Sequence, residues 1–253
     1  MAYSLKHLIP ISSKSKVSQE NFGFRASTIA TLGQLGFPVA DGYCISSELV
    51  GNIIDGGPTP KFPKDFLADS LLCLRSSPTY REWRGPESIL YLGLNRAKLE
   101  SIRKITGKSL GNFLYLEHVR NFGVKVLDLD PNLFDETLHL AVTREKVKSV
   151  RNLPKIVIDD LTNEFEEYYR IHLGFDFPED EEEQIHYALK AIAKKWESPT
   201  SKILRLSLGA DPHASMGAIL QKMILASHDS QFGLLEIQSV DNATGKQQTR
   251  GRF

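Results

Sequence analysis

The chain has 253 residues, 41% hydrophobic and 25% charged, and its 31 basic and 31 acidic side chains leave no formal net charge. This suits one large globular domain or two small ones and excludes a broad basic surface for nucleic acid, while two cysteines, Cys44 and Cys73, each inside a short apolar run, exclude a disulfide framework. No apolar run approaches the length of a membrane span, and electrical neutrality mildly favours a chain that lives in a complex.

Residues 1–20 read as a leader with no signal-peptide pattern, so a cytosolic location is the expectation, with an organelle address left open. Residues 25–35 read as a helix. Ile29, Leu32 and Leu35 recur at helical spacing, Gly36 stands where a C-cap glycine belongs, and Pro38 blocks continuation. A strand over 43–46 follows, then a helix over 48–54 capped by Ser46 or Ser47 and ended by Gly56-Gly57-Pro58. The nearly continuous apolar run 68–74 predicts a strand covered on both faces. A second strand is expected over 88–92, with the loop 76–87 between them.

Helical spacing then predicts helices over 96–106, 110–122 and 131–148, the last opened by Asp130-Pro131. The stretch 159–173 is amphipathic and ends at Gly174. The stretch 179–196 begins with five acidic residues, which read as a solvated helix start favoured by the helix dipole and not as a metal site. Three strands, 218–225, 233–239 and 247–253, are expected as an antiparallel meander. Their turns are Ser227-His228-Asp229-Ser230 and Asn242-Ala243-Thr244-Gly245. The order suggests an α+β fold with a helical insertion, not a doubly wound sheet.

Common catalytic patterns are missing: no zinc-type Cys/His spacing, no Gly-x-Ser-x-Gly elbow, no Walker A loop and no Gly-x-Gly-x-x-Gly. No catalytic residue is assigned, and the dispersed histidines read as packing or surface residues. What stands out is Leu74-Arg75-Ser76-Ser77 at the end of a buried strand. A guanidinium offers a planar fork of donors that fits a phosphate, and Ser76 and Ser77 add short donors. The competing reading is a strand-end arginine paired with a nearby carboxylate.

The segment Phe22-Gly23-Phe24-Arg25 and the block Gly36-Phe37-Pro38-Val39-Ala40-Asp41-Gly42-Tyr43 resemble the opening of the nucleotide-binding domain of the pyruvate phosphate dikinase and phosphoenolpyruvate synthase family. The resemblance continues in the same order through Leu74-Arg75-Ser76 and Leu92-Gly93-Leu94-Asn95. It then takes in Phe177-Pro178 through Gln184 to Trp196, the strand Gly217 to Ile224, and Thr244-Gly245. It implies an ATP-grasp-like fold with ATP between two α+β lobes. On that basis 21–95 is the first lobe, 96–215 a mainly helical region, and 216–253 the β-rich part of an incomplete second lobe.

The resemblance also implies site roles. Arg75 falls on a phosphate-binding arginine and Arg25 on a phosphate-binding lysine. Gln221, Met223 and Ile224 fall on the strand lining the adenine pocket. The loop from Trp83 to Ser88, with Glu87 in place of an aspartate, falls on a mobile loop over the phosphates.

The departures matter too. Phe24 stands where the family has glycine, Arg25 where it has lysine, and Arg84 where it has glycine. The family's metal-binding Asp-x-Glu pair, its Gln-x-Arg and its phosphorylated-histidine domain correspond to positions after Phe253. The expectation is a divergent ATP-binding module, non-catalytic alone, serving as a subunit of a larger assembly. The alternative is the ATP-binding half of a split phosphotransferase completed by a second chain. ATP is the implied ligand, with magnesium only where a partner supplies acidic groups. Another protein chain is the expected partner; nucleic acid and membrane are not.

Overall fold

The structure is a computed structural model that describes residues 6–12, 14, 16–68, 70–225, 236–241 and 244–252. The first strand, β1 (Leu8–Pro10), lies in the segment expected to be a leader. It is followed by α1 (Gln19–Phe22), α2 (Phe24–Gln34), β2 (Gly42–Ile45) and α3 (Ser47–Ile54), the last capped by the Ser46 hydroxyl at Leu49 N, 3.1 Å away. A short α4 (Lys64–Ala68) takes the start of the run expected as strand, and β3 (Leu72–Pro78) begins four residues later than predicted. After β4 (Ile89–Leu92) come five helices: α5 (Arg96–Thr106), α6 (Lys108–Val126), α7 (Pro131–Arg144), α8 (Lys155–Leu173) and α9 (Glu181–Glu197). Helix α10 (Pro199–Ser207), with Ser198 as its cap and Pro199 in its first turn, was not expected.

The last expected strands are β5 (Met216–Lys222), β6 (Glu236–Val240) and β7 (Gln247–Arg252). They do not form a meander. β5 is the middle strand of a five-stranded sheet ordered β1-β2-β5-β3-β4, in which every neighbouring pair is antiparallel. β6 and β7 pair only with each other among the described strands. A meander is the shortest closure for three strands, but the continuous apolar run of β5, buried from Met216 to Gln221, is covered on both faces only between β2 and β3. The expected Ser227–Ser230 turn, Gly233 to Leu235, Asn242, Ala243, Phe253 and the first five residues lie outside the described residues. The architecture is α+β, mostly helical, with an antiparallel sheet compatible with a nucleotide-binding domain.

The sheet is covered on both faces. Ile45, Leu72, Leu74, Ala218 and Leu220 face the large core shared with α3, α6 and α9. Cys44 and Ile219 face a smaller core with Ile9, Ile11, Ala26 and Ala30, which holds α2 against the sheet. Both cysteines are free and buried on strands, as expected; burial pushes the Cys44 thiol up to about 12. Among the described residues, no helix is long and apolar enough to cross a membrane.

One buried polar hub ties the helical layer to the sheet. Gln184 on α9 is fully buried; its Oε1 accepts from Gly93 N at 2.8 Å, and its Nε2 donates to Leu94 O at 3.1 Å and Pro178 O at 2.8 Å. Asn95 caps α5 at Lys98 N and donates to Glu179 O, each at 2.8 Å. The family-like Leu-Gly-Leu-Asn block and the family-like glutamine therefore meet each other, as structure and not as a site.

His118 completes the hub, with Nε2 3.1 Å from Gln184 Oε1 and Nδ1 unpartnered among the described residues. Burial pushes its imidazole down to about 4, against the smaller opposing effect of the Gln184 hydrogen bond. The unfolded chain takes up this proton near its ordinary value of about 6.5. Stability is therefore complete above that pH and declines as pH falls from ~6.5 to ~4, by roughly 3 kcal/mol in all. Urea midpoints measured across this window should show the decline, and His118→Phe, set among Phe122 and Phe177, should flatten it. An unchanged slope in the variant would contradict the assignment.

Candidate functional site

Arg75 does not follow β3; it lies within it. The strand continues through Ser76, Ser77 and Pro78 because β5 satisfies their backbone, from Arg75 opposite Ile219 to Pro78 opposite Met216. Arg75 Nη1 donates to Gln221 Oε1 at 3.1 Å, and Gln221 Nε2 donates to Ala40 O at 3.0 Å. Gln221, 8% exposed, thus fixes the guanidinium without adding a charge. The carboxylate partner of the competing reading is not found among the described residues.

Arg25 sits in the first turn of α2 and donates to Ser76 O. Burial, and after it the charge of Arg75, push the Arg25 guanidinium below its ordinary value; it still stays protonated at neutral pH. Two guanidiniums held near each other without a carboxylate repel, and an anion between them relieves that repulsion.

The start of α2 is locked to β3. Ser77, fully buried, accepts from Ala26 N at 3.0 Å, serving an orphan helix N–H as a cap would. Gly23 has φ +82°, and a Cβ there would fall 1.7 Å from Ser77 O. The Ser76 hydroxyl donates to Pro86 O at 2.7 Å and ties back the loop after β3. Gly85 permits this closure, since a Cβ would sit 2.4 Å from Ser76 Oγ.

These contacts frame a cleft of about 610 Å³ between α2, β3 and the loop 79–88. Arg25, Arg75, Ser76, Glu87 and Ser88 line it together with Phe24, Thr28, Arg81 and Arg84. Four of the five charged side chains are thus arginines. Arg81 and Arg84 have no hydrogen-bond or ion-pair partner for their side chains among the described residues. The one carboxylate, Glu87, is engaged by Lys125 at 2.9 Å, and that hydrogen bond holds it below the usual carboxylate range.

Not every expected residue reaches the cleft. Ser77 is committed to α2. Gln221 touches the cleft only through Arg75. The Met223 thioether accepts from Tyr91 N at 3.2 Å, and Ile224 is 85% exposed; neither lines the cleft. Arg81 was not singled out from the sequence. The spacing of Arg81 and Arg84 around a Tyr80–Trp83 aromatic pair was the available clue.

Magnesium does not fit the cleft as described. Such an ion takes oxygen ligands, commonly one or two carboxylates besides phosphate. Glu87 is committed to Lys125, and no group of three potential metal ligands occurs among the described residues.

No family model matches the chain. Curated relatives do. The chloroplastic pyruvate, phosphate dikinase 1 of Zea mays is 23% identical over 262 aligned positions, covering 94% of this chain and 27% of that protein. Pyruvate, phosphate dikinase of Giardia intestinalis is 23% identical over 242 positions, 87% of this chain and 27% of its own length. The chloroplastic enzyme of Flaveria pringlei is 24% identical over 256 positions, 91% of this chain and 26% of its own length. The chain spans about a quarter of these relatives (27% of the first). Similarity this extensive, at low identity, supports a relationship with that family.

Proposed function

We propose that this chain is a divergent nucleotide-binding module of the pyruvate phosphate dikinase type, an ATP-grasp-like lobe that holds ATP by its phosphates. The observation that carries the reading is the cleft, where Arg25 and Arg75 converge on one space with no free carboxylate among the described residues to neutralise them. Gln221 aims Arg75, Ser76 anchors Arg25, and Ser77 holds the helix that bears Arg25. The base is expected beyond the C-terminal end of β5, towards Met223 and Ile224, and the Trp83–Ser88 loop over the phosphates.

The chain is a binding subunit and does not carry out phosphoryl transfer alone. Phe24, Arg25 and Arg84 favour that role over a full catalytic site, because bulk and fixed charge replace residues that let backbone and metal approach phosphate. Another protein chain completes the assembly. Exposed apolar side chains at the C-terminal end of α2 and just beyond it support this: Leu35, which caps the helix, is 69% exposed and Phe37 58%.

The test is thermal unfolding with ATP, in magnesium or in chelator. Ligand at ten times Kd adds ~1.4 kcal/mol, which raises Tm by about 3–6 °C for a chain of this size. Arg75→Ala should abolish the rise. No shift in either condition at millimolar ATP would contradict the proposal.

A further inference from the structure

The cleft carries more positive charge than a magnesium-bound nucleotide needs. Arg25 spends one donor on Ser76 O and Arg75 one on Gln221 Oε1. Arg81 and Arg84 spend none among the described residues, and each guanidinium carries five N–H donors. The one carboxylate at the rim, Glu87, is turned to Lys125. Arg84 is held at φ +43°, a backbone region where glycine is at ease and a bulky side chain is strained. A costly backbone thus places a cation at the cleft.

We infer that this cleft binds a polyphosphate chain without a divalent cation, the guanidiniums of Arg25, Arg75, Arg81 and Arg84 supplying the neutralising charge. The inference rests on the nucleotide reading above and concerns the form of ligand taken. Magnesium bound to ATP cancels part of the charge that these arginines attract, and it adds a hydrated ion that no free acidic group among the described lining residues is there to hold. The metal therefore competes with the site.

Calorimetric titration with ATP, in EDTA and again in excess magnesium, tests this, with tripolyphosphate as a second ligand in EDTA. ATP should bind at least as tightly in EDTA as in magnesium. Tripolyphosphate should bind in EDTA too, placing the recognition on the phosphates. Arg84→Gly, which relaxes the backbone, should keep the fold and weaken ATP in EDTA roughly tenfold, the loss expected for a charge-assisted contact. Exposed Arg81→Ala should act in the same direction. ATP binding tenfold tighter in magnesium than in EDTA would overturn the inference and leave the nucleotide reading standing. Failure of tripolyphosphate beside binding of ATP would overturn it as well. Absence of ATP binding in both conditions would overturn both.

Discussion

Gln184→Leu is expected to cost about 4 kcal/mol or more, although leucine is close in size and suits a helix. The side chain is fully buried and serves Gly93 N, Leu94 O, Pro178 O and His118 Nε2 at once. Leucine leaves all four without a partner, and a buried polar group so stranded costs about 1–3 kcal/mol. These groups belong to the corner after β4, the entry to α9 and the middle of α6, so the loss is felt across the interface of sheet and helices. Urea unfolding should show the midpoint fall with little change in slope, and Tm should drop by about 10 °C. A loss under ~1 kcal/mol would mean that water takes over the hub.

Gly23→Ala should be comparably damaging for a different reason. Gly23 has φ +82° and ψ 163°, a region open almost only to glycine, and its added Cβ would overlap the Ser77 carbonyl. The strain is about 1–3 kcal/mol, and moving a packed backbone adds a similar amount. Helix α2 must retreat from β3, breaking Ala26 N to Ser77 Oγ and shifting Arg25 from Ser76 O. Unfolding stability and the ATP-dependent rise in Tm should be lost together. Gly36→Ala is the control. Its φ is +84° but nothing lies within 4 Å of an added Cβ, so it should cost only about 1 kcal/mol and keep the ATP response. Equal effects of the two substitutions would contradict the locked junction.

Local patterns made the helices legible, and α5 falls on its expected bounds because Asn95 caps it and Gly107 ends it. That Arg75 would belong to a cationic cleft was legible from residue type and neighbours, and it does line one. Its position was not. Ser76, Ser77 and Pro78 are turn-formers locally, and only the ladder with β5, some 140 residues on, makes them strand. For the same reason Ser77 looked like a phosphate donor and proves to be a helix cap. Three apolar residues at 8–10 are too few to declare a strand, and only the pairing with β2 makes β1 one. The engagement of Glu87 by Lys125 on α6 is a long-range contact that no spacing announces. The resemblance identified residues; the structure separates those that line the cleft from those that build it.

Arginine side-chain Nε–Hε resonances, followed by NMR as ATP is added, report on the cleft itself. The signals of Arg25 and Arg75 should move together and saturate with one binding constant, and Arg75→Ala should remove the response of Arg25. If no arginine signal moves at millimolar ATP, or if only arginines outside the cleft respond, the cleft is not the nucleotide's phosphate site.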